Sequence, residues 1–142
     1  NIAHGIAVGR QILDGTGKRA NAVRVLVVLS DGVPNQRCGS SAYSSVNYNS
    51  TSCSGPNSDT SPNPPSCPAD TPSIAHMKQE ATRAAAGQIT IYTIGLGSGV
   101  IPCILQSVAT IGGGTYYAVP TTADLAAAFT AIAAKTHIAL VK

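Results

Sequence analysis

Apolar and polar positions along the 142-residue chain follow two periods, one helical and one extended. Residues 2–13 place isoleucine and leucine at helical intervals up to the Asp-Gly-Thr-Gly run at 14–17, which predicts a first helix. Residues 23–29, VRVLVVL, are apolar with little alternation, a pattern typical of a central strand in a parallel sheet. A second apolar strand is predicted at 89–97 and a short third strand at 115–119.

Three further helices are predicted between and after these strands. One covers about 74–86 with Ser73 as its N-cap, and another runs from 102 to 109. The last follows Thr121 and Asp124, which have the spacing of a capping box. The elements then follow the order helix, strand, helix, strand, helix, strand, helix. This alternation predicts the α/β class, with an open, mostly parallel sheet and helices on both faces.

Residues 35–72 interrupt this pattern, because they are rich in serine, asparagine and proline and contain almost no large aliphatic side chains. This loop insertion holds Cys38, Cys53 and Cys67, while Cys103 lies in the helix after the next strand. The four cysteines lack the C-x-x-C spacing of zinc knuckles and thioredoxin-like sites. Disulfides, and hence an oxidising compartment outside the cytoplasm, are the favoured interpretation. The alternative is four free thiols, and the pairing stays open.

Neither the charge nor the composition of the chain supports binding to nucleic acid or insertion into a membrane. Charged residues make up 11% of the chain, against roughly 25% in typical soluble domains. The net charge is +3, and the basic residues are scattered without a run interleaved with aromatics, so nucleic-acid binding is not supported. No apolar stretch approaches the roughly 20 residues that a membrane span needs.

The predicted strand at 23–29 is followed by Ser30, Asp31 and Gly32, in that order. Ligands of open parallel sheets bind beyond the carboxyl ends of the strands, and hard divalent cations take oxygen ligands. Ser30 and Asp31 are therefore candidate oxygen ligands of a cation. The structural alternative is a turn or a helix cap, which an acid followed by glycine commonly forms after a strand.

Three stretches, VRVLVVLSDGVPN, ITIYTIGLGSG and LQSVATIGGGTYYAVPTTADLAAAFTAIA, occur in this order and resemble the second half of a von Willebrand factor type A domain. The chain end further resembles bacterial surface versions, including those attached to tight-adherence pilus proteins. The resemblance implies a Rossmann-like fold with a metal-ion-dependent adhesion site built from three segments. Only the acid of the S/T-D-G segment has a counterpart here, Asp31. The D-x-S-x-S segment is missing, and the family's threonine would fall before Asn1.

On this resemblance, residues 1–142 form a partial domain that lacks its N-terminal strands. The family strand that pairs beside 23–29 would be absent, and the apolar edge left behind would be prone to association. We therefore expect an N-terminal segment of the same domain, or another chain, to pair with 23–29. The implied cofactor is Mg²⁺, or Ca²⁺ or Mn²⁺, bound only when such a segment completes the site.

The expected function is a non-enzymatic adhesion or protein-interaction module, extracellular or at the cell surface. Its partner would be a protein or surface ligand that offers a carboxylate to the cation beside Asp31. A bridge from Cys103 to Cys67 or Cys38 would lay the cysteine loop across this face. Tyr43 and Tyr48 in that loop are candidate partner contacts, unless they pack against the disulfides.

The rival interpretation is a structural subunit of a surface filament or pilus, a homo-oligomer in which the metal site is vestigial. A hydrolase is disfavoured, because the sequence has no G-x-S-x-G motif. His4, His76 and His137 are far apart in the sequence, and we expect them to be ordinary surface histidines.

Overall fold

A computed structural model describes residues 1–142 except 20, 35, 39–55, 59–70 and 140–142, and gives the backbone alone for 36–38, 56–58 and 137–139. Its helices are α1 (Ile2–Leu13), α2 (Pro72–Ala86), α3 (Pro102–Ile111) and α4 (Leu125–Ala139), and its strands are β1 (Arg24–Ser30), β2 (Gln36–Cys38), β3 (Pro56–Ser58), β4 (Ile89–Leu96) and β5 (Gly113–Val119). A 3₁₀ turn, Thr122–Asp124, leads into α4.

Strands β1, β4 and β5 form an open three-stranded parallel sheet in that order. Helices α1, α2 and α3 contribute to the core on one face, and α4 packs against the other. The predicted fold class is therefore confirmed: an α/β fold with an open parallel sheet flanked by helices, consistent with a Rossmann-like arrangement. Strands β2 and β3 pair separately, as a small antiparallel sheet within the loop insertion.

The sequence pattern alone predicted a central strand at 23–29, whereas the resemblance predicted an open edge there in a chain without the N-terminal strands. In the structure β4 lies in the middle and β1 at the edge of the three described parallel strands, as the second prediction requires. The apolar run in β1 arises because helices cover both faces of the sheet. The pattern of apolar side chains in a strand indicates whether the two faces of the sheet are buried there. Whether the strand is central or at the edge depends instead on which strands its backbone pairs with. The pattern of β1 could not distinguish the two.

The two faces of the sheet differ in how completely they are covered. The α1–α3 face holds the larger core, which includes Ile6, Ile74, Met77, Ile91, Ile104 and Val108. The α4 face holds a smaller core, made by Tyr92, Ile94, Val119, Ala128 and Ile132. On this second face the side chains of Leu29 and Phe129 remain 45% and 46% exposed.

Two predicted helix caps are wrong in detail. Thr71, rather than Ser73, caps α2, and its Oγ1 accepts a hydrogen bond from the Ile74 N–H at 3.4 Å. Pro72 explains the shift, because proline favours the first helical position and so moves the start of α2 upstream. At the other site the Thr121 hydroxyl donates to the Asp124 carboxylate at 2.7 Å, so this pair closes a 3₁₀ turn instead of a capping box.

Helix α2 buries two polar side chains that its sequence pattern did not single out. His76 is 4% exposed, so the prediction of a surface histidine is wrong there, while His4 is half-buried and the His137 side chain lies outside the described atoms. Glu80 is 0% exposed. The Arg10 Nε of α1 donates to Glu80 Oε2 at 3.3 Å, and Arg83 Nη1 bonds the other carboxylate oxygen. This buried charge cluster joins α1 to α2.

Candidate functional site

Ser30 and Asp31 lie at the carboxyl end of β1, as predicted, where Ser30 pairs with Gly95 of β4. The Ser30 hydroxyl donates to the Gly32 carbonyl oxygen at 3.1 Å and lies 3.4 Å from the Gly32 N–H, from which it accepts. These two contacts close a tight turn over Asp31 and leave its side chain exposed. Ser30 is itself buried, so its clearest role is to hold the turn that presents Asp31.

The loop after β4 approaches the same turn through its backbone. A Cβ atom on Gly99 would lie 2.5 Å from the Asp31 carbonyl oxygen, so only glycine allows this close contact. Gly97 in the same loop has a φ of +72°, a backbone conformation that residues other than glycine rarely adopt. The Gly-Leu-Gly-Ser-Gly pattern therefore serves to turn the backbone beside Asp31.

The Asp31 carboxylate has no partner of opposite charge among the described residues. Asp14 and Glu80 are held in ion pairs, and the hydrogen bond from Lys18 lowers the pKa of Asp14. Over the described part of the chain, neither Asp31 nor Asp124 has a salt bridge. An exposed carboxylate at the carboxyl end of a parallel sheet is available to a cation or to a positively charged partner.

Ser30 and Asp31 do not make a complete cation site on their own. They supply one hydroxyl and one carboxylate from adjacent positions, whereas Mg²⁺ takes six oxygen ligands and Ca²⁺ six to eight. Among the residues with described side chains, no three from the His, Cys, Asp and Glu types lie close enough to hold a metal ion. The remaining oxygens of any cation site at Asp31 have to come from elsewhere.

Of the candidate cysteines and tyrosines, only Cys103 has a described side chain. It is the second residue of α3, half-buried and disulfide-bonded. The Cys38 side chain and the whole of Cys53, Cys67, Tyr43 and Tyr48 lie outside the described atoms. The pairing of the cysteines and the partner contacts of the tyrosines thus stay predictions.

A crevice of about 540 Å³ lies beyond the ends of β4 and β5, and the sequence reasoning did not find it. Its walls come from β4, the following loop, the start of α3 and β5, including Val100, Pro102 and Tyr116. No local motif joins these segments, which meet only through the pairing of β4 with β5. The rule that ligands bind at the carboxyl ends of parallel strands was the available signal.

None of the helices in the described part of the chain has the length and apolar character that a membrane span needs. The chain matches no model of a known protein family, no curated protein and no solved structure. Membership of the type A family accordingly stays a prediction from the sequence pattern, and function has to be inferred from the geometry of the site itself.

Proposed function

We propose that this chain is a non-enzymatic protein-interaction module, extracellular or at the cell surface, which binds its partner at the carboxyl end of β1. One observation carries the proposal. The exposed carboxylate of Asp31, without a salt bridge among the described residues, stands at the end of a strand whose outer edge pairs with no other described strand. A binding group and an open backbone edge therefore lie together.

The edge of β1 has the features of a strand acceptor. All seven residues of β1 pair with β4, so the backbone groups that face away from β4 have no strand partner in the described structure. Exposed edges are normally protected by proline, inward-facing charge or a short strand length. β1 contains no proline, and its only charged residue, Arg24, is at its start. We infer that an N-terminal segment of the same domain, or another chain, adds a strand here.

A strand added parallel to β1 would end beside Asp31, because the carboxyl ends of parallel strands meet at one edge. Oxygen-bearing side chains just beyond that strand would join Asp31 around a divalent cation, Mg²⁺ or else Ca²⁺ or Mn²⁺. The bound cation would supply the positive charge that attracts a partner carboxylate. Ser30 would hold the turn, and Gly99 would allow the loop after β4 to support it from the other side.

The open edge also favours the second candidate, a structural subunit of a filament. Val23 beside β1 is 38% exposed, and Leu29 within it is exposed as well. Copies of the chain that paired through this edge would satisfy the outward-facing backbone groups of β1, and Asp31 would then have no binding role.

Magnesium titration of the full-length protein tests the proposal. We expect Asp31→Asn to weaken Mg²⁺ binding at least about tenfold, because the only carboxylate that β1 offers to the cation is lost, and a single charge-assisted contact accounts for roughly 1.5–3 kcal/mol. Asp124→Asn is the matched control, since Asp124 is also exposed and without a salt bridge in the described structure, but follows β5. Calorimetry measures both affinities.

Unchanged Mg²⁺ affinity in Asp31→Asn would contradict the cation site. Partner binding measured on the same two variants separates the two candidate functions. Loss of binding in Asp31→Asn alone supports the interaction module. Filament assembly that continues unchanged in Asp31→Asn supports the structural subunit.

A further inference from the structure

The crevice beyond β4 and β5 is separate from the Asp31 turn. Strand order places β4 between β1 and β5, and Asp31 does not line the crevice. Its volume of about 540 Å³ falls within the roughly 300–1,000 Å³ typical of small-molecule pockets. It also occupies the carboxyl end of the sheet, where open α/β folds bind their ligands.

A glycine in β4 builds the floor of the crevice. Gly95 pairs with Ala118 of β5, and a Cβ atom at Gly95 would lie 2.8 Å from the Tyr116 hydroxyl oxygen and 3.1 Å from a Val100 methyl carbon. The absence of a side chain therefore allows the Tyr116 ring to lean over the end of β4. Beyond this floor, the Gly97 N–H donates to the Val119 carbonyl oxygen at 2.9 Å and ties the loop to β5.

The lining of the crevice selects an uncharged occupant. Most of its wall is apolar, with Val100, Pro102, Val119 and Pro120 among the lining residues, and no charged side chain takes part. A charged ligand would lose part of its hydration here without a compensating charge. The proline and tyrosine rings offer flat surfaces of the kind that a ligand ring contacts well.

Tyr116 supplies the polar group that would orient such a ligand. A tyrosine hydroxyl is protonated at neutral pH and can donate a hydrogen bond, and burial raises the pKa of Tyr116 further in the same direction. In the described structure the hydroxyl forms no hydrogen bond with the protein. The complementary group on a ligand is an uncharged acceptor, such as a carbonyl oxygen.

We propose that the crevice binds a neutral, ring-containing small molecule whose carbonyl oxygen accepts a hydrogen bond from Tyr116. Its ring would lie against Pro102, Pro120 and Val100. This site is independent of the interaction proposed at Asp31, because the two share no lining side chain.

Two probes of the same shape test the proposal on the full-length protein: cyclohexanecarboxamide, which is neutral, and cyclohexanecarboxylate, which is charged. We expect the amide to shift the backbone NMR signals of Gly95 and Gly97 and to saturate at millimolar concentration. The carboxylate should bind at least about fivefold more weakly, since its charge would be desolvated. Tyr116→Phe should weaken amide binding about three- to tenfold, the typical range for loss of one neutral hydrogen bond.

Filling the crevice is the second test. Ala118→Phe should abolish amide binding, and the same change at the exposed Ala133 of α4 is the matched control that should leave it intact. Circular dichroism verifies that both variants are folded. Equal affinity for the two probes, shifts away from the crevice, or unchanged amide affinity in Tyr116→Phe would each overturn the proposal. Because Tyr116→Phe removes only one oxygen atom, the proposal stays testable even if Ala118→Phe fails to fold.

Discussion

Replacing both arginines around Glu80, in an Arg10→Met/Arg83→Met variant, is expected to lower the free energy of unfolding by about 3–5 kcal/mol. The Glu80 side chain is 0% exposed, and the two arginines bond its two carboxylate oxygens from α1 and α2. Methionine retains most of the aliphatic stem of arginine, so the main change is the loss of the compensating charges. Urea unfolding at neutral pH measures the effect.

A triple variant that also carries Glu80→Met provides the control. It removes the buried charge together with its partners, and replacing a whole buried ion cluster by apolar side chains is often neutral or stabilising. The triple variant should therefore recover most of the stability that the double variant loses. A triple variant as unstable as the double would contradict the electrostatic explanation and point to lost packing instead. Lys18→Met, which breaks an exposed pair with Asp14, should have a much smaller effect.

This cluster illustrates which features the sequence cannot reveal. The apolar spacing of α2 predicted a helix with one buried face, and that face exists. Glu80 and the buried His76 lie four residues apart on this face, where the pattern gives no reason to expect an acid. The partner that makes the burial of Glu80 possible, Arg10, is 70 residues away in the chain. Only the packing of α1 on α2 brings the two together.

Strand boundaries show a related limit. The prediction for the third strand began at residue 115, whereas β5 begins at Gly113, because glycine adds nothing to a hydrophobic pattern. The position of Asp31 after a strand could be predicted, since it depends on neighbouring residues alone. The edge position of β1 and the crevice beside β5 depend on which strands pair, and no local pattern records strand order.

Because of this strand pairing, the described residues supply more of the crevice than of the Asp31 site. Asp31 directly follows the edge strand β1, so its surroundings in the described structure are open on one side. The crevice lies beyond the ends of β4 and β5, and both strands, a loop and the start of α3 line it. We therefore expect the crevice to bind its probes without any added segment, whereas cation binding at Asp31 depends on one.

Gly114→Ala is expected to destabilise the fold by about 3 kcal/mol or more, at the upper end of what overpacking causes. A Cβ atom at Gly114 would lie 2.1 Å from the Ile91 carbonyl oxygen and 2.7 Å from its carbonyl carbon. Both are backbone atoms of the central strand, so they cannot move aside as the end of a flexible side chain would. The register between β4 and β5 shifts just here, after the pairing of Ile91 with Gly113.

Two other Gly→Ala changes separate this steric effect from backbone conformation. Gly113 has a φ of +70° but nothing within 4 Å of its added Cβ, so Gly113→Ala should cost only about 1–2 kcal/mol. Gly5 lies in α1 with open space around it, and Gly5→Ala should stabilise the protein by about 0.5–1 kcal/mol through its better helix propensity. Urea unfolding of the three variants should give this order. A Gly114→Ala protein no less stable than Gly113→Ala would show that β5 can shift away from Ile91, and that the close contact does not fix the position of β5 beside the central strand.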